Sequence, residues 1–421
     1  MTATGRTGES IAAAVESAGF VRIDARADGD GLAAAGVLAR TLAERQVPFQ
    51  VSLSNGVGAR SDRVDATTDA DTSIVIGEST TDGESVFRLD DPNRPASLEA
   101  ADLVTDLGAS PDPVLALAGA FAAGVELDGG TAGSLLESAD DRGLVARRPG
   151  VAAPTADPVD GLAHSTLVYA PWSGDRTRVR DALGAEFLAQ LRNEVASGGV
   201  DVAEDADVAD SGDALDERAA DAHRRLASLV AVDATGASTA VDRAAESISR
   251  VLRPYATPAA PFQTIGGYAD VLEAVARERP GVGVPLAIGH DARADALDAW
   301  RDHGRRLHEA LTESETSRHD GVYVLVGARI DASSAPSVAR LTLAYRSPEP
   351  VVLALGDDVA SIATADEPVG PLVDAVATRL VDEVGDAPSS AIEYDYGRRV
   401  GTISVGELAP DDVIDAARGV L

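Results

Sequence analysis

The chain has 421 residues, which is long for one ordinary domain, and its 45% hydrophobic content is enough to form two or three cores. Its 69 acidic residues outweigh 36 basic ones, all of them arginine, and the net charge is −33. The chain has no cysteine, which excludes disulfides, thiolate metal sites and cysteine nucleophiles.

Such acidity disfavours nucleic-acid binding at low salt, because phosphate contacts need positive charge. It is also the pattern expected of a halophilic protein in molar intracellular salt, where the Debye length is about 3 Å and like charges are screened. Under this interpretation, local arginine clusters can still bind phosphate. No stretch reaches the roughly 18 apolar residues of a membrane span, so we expect a cytoplasmic protein that does not bind membranes.

The N-terminal part alternates strands and helices, which predicts an open parallel α/β sheet flanked by helices. A strand over Phe20–Ile23 precedes a helix over Leu32–Leu42, which Asp30 is expected to cap. Further strands are predicted over Phe49–Leu53, Ser73–Ile76 and Ser85–Leu89, and a helix over Val114–Ala123.

The middle of the chain is predicted to be mainly helical, and the end to be an α+β domain. Helices are expected over Arg178–Val195, Ala214–Leu229, Ala240–Leu252 and Ala292–Leu311, with a solvated loop over Asp201–Asp213. C-terminal strands are expected over Val322–Val326, Ala339–Ala344, Val351–Ala354, Val359–Ala363, Ala391–Tyr394 and Val400–Val405, with a helix over Leu372–Val384. We therefore divide the chain into an α/β domain (1–130), a helical extension of the same lobe (131–291), a connector helix (292–316) and a C-terminal domain (317–421).

Asp28 and Asp30 follow the first predicted strand and are the strongest site candidates. Two carboxylates in this spacing at a strand end can hold a divalent cation. The same residues could instead form only a turn and a helix cap. Arg26, two residues earlier, already carries a positive charge, so the sequence leaves open whether a metal binds here.

Four segments together resemble the DHH phosphoesterase superfamily, in its archaeal RecJ-like branch. They are Asp28-Gly29-Asp30-Gly31, Leu89-Asp90-Asp91-Pro92, Phe262-Gln263-Thr264-Ile265-Gly266-Gly267 and Tyr396-Gly397-Arg398-Arg399. The resemblance implies an N-terminal DHH-type sheet, a C-terminal DHH-associated domain, and hydrolysis of phosphodiesters by two metal ions, Mn²⁺ or Mg²⁺. The branch also includes the nuclease-dead subunit of the eukaryotic replicative helicase.

Most of the family's metal ligands are substituted here. Asp28, Asp30 and Asp90 match acidic ligands, whereas the other ligand positions fall on Arg26, Gly77, Asp91, Pro92, Ala123 and Arg398. Asp28 and Asp30 alone could hold a cation only weakly, and losing several ligands should abolish the reaction. We therefore hypothesise that Arg26 replaces the metal and neutralises the two carboxylates.

The function that follows is a RecJ-like component of DNA replication or repair with lost or impaired nuclease activity. It would bind single-stranded DNA or RNA, or a protein partner, and the candidate phosphate contacts are Gly397, Arg398, Arg399 and Arg305. The resemblance suggests the GINS complex, the replicative helicase or another RecJ-like subunit as partners. One alternative is an active single-strand exonuclease that uses Asp28, Asp30, Asp90 and Asp91, and another is a protein-binding fold without nucleic-acid affinity.

Overall fold

The computed structural model describes residues 8–66, 72–197, 209–384, 392–406 and 408–421. The first elements are α1 (Gly8–Ser17), β1 (Val21–Arg26), α2 (Gly29–Glu44), β2 (Phe49–Ser54), α3 (Val57–Asp65), β3 (Thr72–Ile76), β4 (Val86–Leu89), α4 (Ala96–Asp106) and α5 (Pro113–Ala122). The four strands form one parallel sheet in the order β2-β1-β3-β4. All four carboxyl ends therefore lie on the same edge.

The main core lies between one face of this sheet and helices α2, α4 and α5. Ile23 of β1 and Ile74 of β3 belong to it, and Ala33, Ala34 and Ala35 of α2 are fully buried in the same cluster. Alanine lets helices approach closely, which explains how a chain with only 4% aromatic residues still forms a dense core. The parallel sheet with flanking helices confirms the fold class predicted for this region.

The middle of the chain is helical. After a 3₁₀ turn at Gly130–Ala132, it contains α6 (Gly133–Asp141), β5 (Ala146–Arg147), α7 (Pro158–His164), α8 (Arg176–Leu183), α9 (Ala185–Ser197), α10 (Ala209–Gly236), α11 (Arg243–Val251), β6 (Tyr255–Ala256), α12 (Ile265–Glu278) and α13 (Pro280–Ala287). The long helix α14 (Arg293–Glu313) then leads to the C-terminal region. Its Trp300 is buried and donates from Nε1 to Asp270 at 2.9 Å, so this ring is part of the core.

The C-terminal region is a six-stranded mixed sheet with helices. Its elements are β7 (Glu315–His319), β8 (Val322–Val326), α15 (Ala335–Tyr345), β9 (Val351–Leu355), β10 (Val359–Thr364), α16 (Gly370–Val384), β11 (Tyr394–Tyr396), β12 (Val400–Ser404) and α17 (Pro410–Arg418). The strand order is β11-β12-β10-β9-β8-β7, with only β8 and β9 parallel. The antiparallel pair β11–β12 forms a hairpin at one edge of the sheet.

Two predicted elements were wrong. The segment Ala339–Ala344, expected to be a strand, belongs to helix α15, because Val338, Leu341 and Tyr345 are buried at helical spacing and outweigh the alternating pattern of the short run. The single helix expected over Arg178–Val195 is two helices, since Gly184 adopts a φ of +77° and ends the first.

Two predicted segments, the acidic loop and one C-terminal strand, lie partly outside the described residues. Residues 201–208 of the acidic run and Ala391 of a predicted strand lie outside the described residues. The loop predicted over Asp201–Asp213 was wrong for residues 209–213, which form the start of helix α10. Within the described ranges, no helix is both long enough and apolar enough to cross a membrane.

Candidate functional site at the carboxyl edge of the parallel sheet

Asp28 lies directly after β1 and is the N-cap of α2. Its Oδ1 accepts a hydrogen bond from the backbone N–H of Gly31 at 2.8 Å, and its Oδ2 accepts from Nε of Arg26 at 2.5 Å. The prediction that Asp30 caps this helix was therefore wrong, because Asp28 has the extended backbone of an N-cap and Asp30 is already in the first turn. Both carboxylate oxygens of Asp28 are engaged by protein donors.

Asp30 is buried and caps a different helix. Its Oδ2 accepts from the backbone N–H of Ala96 at 2.9 Å and its Oδ1 from that of Ser97 at 3.0 Å. Helix α4 begins after Pro95, which has no side chain able to cap it, so Asp30 supplies the missing acceptor. Burial, followed by the charge of Asp28, raises the pKa of Asp30 above its usual range.

Arg26 lies between the two carboxylates. Its side chain is 13% exposed, and its guanidinium lies 3.9 Å from Oδ2 of Asp30 in addition to the bond to Asp28. Burial alone would lower the pKa of Arg26, but the charges of Asp28, Asp395 and Asp30 outweigh it and raise the pKa above its ordinary value. The guanidinium is therefore a permanent cation beside both acidic groups.

Two glycines leave the space that the guanidinium occupies. Gly77, after β3, has a φ of +100°, and a Cβ there would lie 3.1 Å from Nη1 of Arg26. A Cβ on Gly397, in the turn of the β11–β12 hairpin, would lie 3.5 Å from Nη2 of Arg26 and 3.3 Å from Oδ2 of Asp28. The hairpin of the C-terminal region therefore covers the end of β1.

A half-buried ion pair on α12 adjoins this cluster. Glu273 accepts from the backbone N–H of Gly29 at 2.7 Å and from Nε of Arg277 at 2.7 Å. Burial would raise the pKa of Glu273, but the charges of Arg277 and Arg340 and the Gly29 hydrogen bond lower it to about 2. This pair was not among the predicted site residues, although its i, i+4 spacing on a helix is a recognisable signal.

Glu393, just before β11, caps helix α3. Its Oε1 accepts from the backbone N–H groups of Gly58 at 2.7 Å and Ala59 at 3.3 Å. A helix N-terminus carries partial positive charge from its unpaired N–H groups, so a carboxylate there is stabilising.

Asp395 of β11 makes a second contact with the same region. It accepts two hydrogen bonds from Arg60, at 2.8 and 2.7 Å, and one from the backbone N–H of Gly56 at 3.1 Å. Arg60 is fully buried, so this pair is shielded from salt. No sequence signal pointed to it, since the partners are 335 residues apart.

Three helices thus begin at this edge, each with a carboxylate at its N-terminus. Asp28 and Glu273 accept hydrogen bonds from backbone N–H groups at the start of α2. Glu393 does so at the start of α3, and Asp30 at the start of α4. The positive helix ends and the interleaved arginines neutralise the carboxylates without any bound ion.

The other acidic candidates do not join Asp28 and Asp30. Asp90 and Asp91 lie in an exposed turn, where Oδ1 of Asp91 accepts from the backbone N–H of Asn93 at 2.8 Å. Burial raises the pKa of Asp90, and mainly burial raises that of the nearby Glu99 to about 8. Across the described ranges, no group of three or more His, Asp or Glu side chains is placed to hold a metal ion.

The arginines predicted to contact phosphate are separated. Arg398 reaches the turn after β4, with Nε 3.4 Å from the carbonyl oxygen of Pro92, and burial lowers its pKa. Arg399 donates instead to the carbonyl oxygen of Ala365 at 2.7 Å. Arg305 pairs on its own helix with Asp302 at 3.2 Å and Glu309 at 3.6 Å. Of these three, Arg398 is the one held beside the strand ends.

This arrangement does not fit a pair of divalent cations. A two-metal site needs several carboxylate or imidazole ligands with free lone pairs converging on each ion. Here each oxygen of Asp28 and Asp30 already accepts from a protein donor, and the Arg26 guanidinium lies beside both carboxylates. The residues present therefore support a closed ion cluster.

Comparison with other sequences finds relatives of the whole chain and of its C-terminal part. Residues 314–419 match the family model described as "Uncharacterized protein rrnAC1427, C-terminal domain". The protein rrnAC1427 of Haloarcula marismortui is 41% identical over 404 residues, covering 94% of this chain and 96% of the relative.

Comparison with solved structures finds proteins of similar fold. CDC45 from Entamoeba histolytica is similar with a TM-score of 0.58 and 8% identity, over 99% of both chains. Exonuclease RecJ bound to manganese gives a TM-score of 0.45 and 14% identity, over 99% of this chain and 94% of that one. The likeness to CDC45 shows a fold shared over nearly the whole chain.

Proposed function

This chain belongs to the family of the Haloarcula marismortui protein rrnAC1427, and we propose that it is a RecJ-like component of DNA replication or repair without metal-dependent nuclease activity. In this role it binds single-stranded nucleic acid in concert with a protein partner. The fold shared with CDC45 and the four RecJ-like sequence motifs support the proposal. The GINS complex, the replicative helicase and another RecJ-like subunit are the partners that the sequence resemblance suggests.

One observation supports the proposed lack of nuclease activity. Each oxygen of Asp28 and Asp30 accepts a hydrogen bond from a backbone N–H group or from Arg26, and the adjacent guanidinium repels a second cation, which disfavours metal binding and metal-activated water. The remnant site has become a structural element that fixes the starts of α2 and α4.

The nucleic-acid part of the proposal depends on Arg398. Its guanidinium lies beside the turn that contains Pro92, which follows β4 at the carboxyl edge of the parallel sheet. Arginine binds phosphate through paired hydrogen bonds as well as charge, so it retains affinity in the molar salt to which the acidic composition points. In this proposal, residues 1–291 form one lobe, 317–421 form the other, and the connector helix joins them.

A nuclease assay tests the proposal. End-labelled single-stranded DNA and RNA are incubated with the wild type and with Asp28→Ala, in Mn²⁺ or Mg²⁺ at molar KCl. We expect the wild type to leave both substrates intact, like the variant. Metal-dependent cleavage by the wild type that Asp28→Ala abolishes would instead establish the exonuclease alternative.

A further inference from the structure

The C-terminal region is attached to the rest of the molecule in two different ways. On one side, Leu307 and Leu311 of α14 share an apolar cluster with Val338 and Leu341 of α15. The hydroxyl of Tyr345 also donates to the carbonyl oxygen of Leu167 at 2.9 Å. This side is a buried hydrophobic joint, which is costly to open.

The β11–β12 hairpin, on the other side, meets the parallel sheet through polar contacts. The apolar cluster of the N-terminal sheet, as far as the structure describes it, extends to Trp300 and includes no residue of the hairpin. Tyr394 and Tyr396 pack instead against the core of the C-terminal sheet. Polar contacts can be exchanged for water or for another polar ligand, so this side can open while the α15 joint stays closed.

The hairpin's own acidic groups occupy positions suited to phosphate. Glu393 accepts hydrogen bonds from the backbone N–H groups of Gly58 and Ala59, and Asp395 accepts them from the guanidinium of Arg60. Helix N-terminal amides and arginine are the groups that bind phosphate oxygens in many proteins. A nucleic-acid backbone could therefore replace these carboxylates, anion for anion.

The tip of the hairpin covers the strand ends. Gly397 lies over Arg26 and Asp28, and Arg398 reaches the Pro92 carbonyl. In this closed position the hairpin tip occupies the space in front of the carboxyl end of β1. Release of the hairpin would expose that edge and free Arg398 at the same time.

We propose that the segment 393–400 is a reversible lid, which Glu393 and Asp395 hold closed over the strand-end cluster and which the phosphates of a single-stranded nucleic acid displace. The proposal rests on the nucleic-acid binding proposed above and assigns its regulation. When the lid opens, the N-terminus of α3 and the guanidinium of Arg60 bind the phosphates.

Two measurements on the full chain test the lid, with Glu393→Ala and the matched control Glu315→Ala. Glu315 is exposed on β7, the opposite edge of the same sheet, so its substitution removes the same charge far from the lid. Hydrogen exchange is followed at residues 56–59, at 394–404 and at α15, which reports that the joint remains folded. Fluorescence anisotropy with labelled oligothymidylate measures binding of a single strand at molar KCl.

We expect exchange at residues 56–59 and 394–404 to rise about tenfold in Glu393→Ala, because a charge-assisted cap is lost. Protection of α15 should be unchanged, and the variant should bind the oligonucleotide several-fold more tightly than the wild type or Glu315→Ala. Unchanged exchange at the lid would overturn the proposal, as would faster exchange with identical DNA affinity. If no variant binds DNA while exchange still rises, Glu393 holds the segment closed but nucleic acid does not displace it, so the lid proposal and the proposed nucleic-acid function are both wrong.

Discussion

Nε of Arg26 donates to Oδ2 of Asp28 at 2.5 Å, which places a fixed cation against the first carboxylate of a phosphoesterase-like motif. The replacement of a metal ion by Arg26 stays a prediction. The bond to Asp28 also gives the guanidinium a structural role, because Asp28 in turn caps α2.

Removing Arg26 should destabilise the protein strongly. In Arg26→Ala, Asp28 and Asp30 would remain close together and largely buried without their cation, and breaking such a pair costs about 3 kcal/mol or more. Denaturant unfolding at molar KCl measures the change. Arg142→Ala is the control, since Arg142 is exposed and should change the free energy of unfolding by less than about 0.5 kcal/mol. Equal effects of the two substitutions would show that Arg26 does not hold the cluster together.

Gly77 should resist substitution for two reasons. Its φ of +100° is strained for any other residue, and a Cβ would crowd Nη1 of Arg26 at 3.1 Å. We expect Gly77→Ala to lower the free energy of unfolding by about 1–3 kcal/mol. In the matched variant Gly129→Ala the new Cβ has open space and the backbone is extended, so stability should not fall. A neutral Gly77→Ala would contradict the fit between Gly77 and Arg26.

Glu99 should make stability depend on pH. Its pKa in the folded protein is raised from 4.5 to about 8, mainly by burial and further by Asp91, Asp90 and Asp30. The folded state therefore holds a proton that the unfolded state has released, and stability should fall as pH rises from about 4.5 to 8.

Glu99→Gln should flatten this part of the pH profile of the unfolding free energy. The substitution of Glu137, which is exposed on α6, by glutamine should leave the profile as in the wild type. Identical profiles for Glu99→Gln and the wild type would mean that Glu99 is not the group responsible.

Among the three arginines predicted to contact phosphate, Arg398 should contribute most to single-strand binding. Arg398→Ala is expected to weaken single-strand binding roughly tenfold and to reduce the slope of log affinity against log salt by about 1. Arg399→Ala and Arg305→Ala should have smaller effects, because their guanidiniums are engaged by Ala365 and by Asp302 and Glu309. Filter binding across a KCl series measures all three. Equal losses for the three variants would refute a specific role of Arg398.

The sequence predicted the parts of the site that depend on neighbouring residues. The strand, the Asp-Gly-Asp-Gly loop and the following helix are local, and the charge of Arg26 beside Asp28 follows from their spacing. The exact cap was missed because Asp28 and Asp30 are both good capping residues, and tertiary contact with α4 decides between them.

The long-range contacts could not be predicted from this one sequence. Arg60 and Asp395 meet across 335 residues, and nothing in the pattern around either residue signals the other. Glu273 likewise reaches Gly29 only because α12 packs beside α2. The helix α15 was mistaken for a strand because a short run with alternating apolar residues fits both periods until its packing partner is known.

We propose that protein donors and Arg26 hold Asp28 and Asp30 so that they do not take up a catalytic metal ion. Isothermal titration calorimetry of the wild type with Mn²⁺ at molar KCl, beside Asp28→Ala, tests this claim most directly. We predict no stoichiometric heat of binding in either protein. Tight binding of one or two Mn²⁺ ions by the wild type, lost in Asp28→Ala, would contradict it.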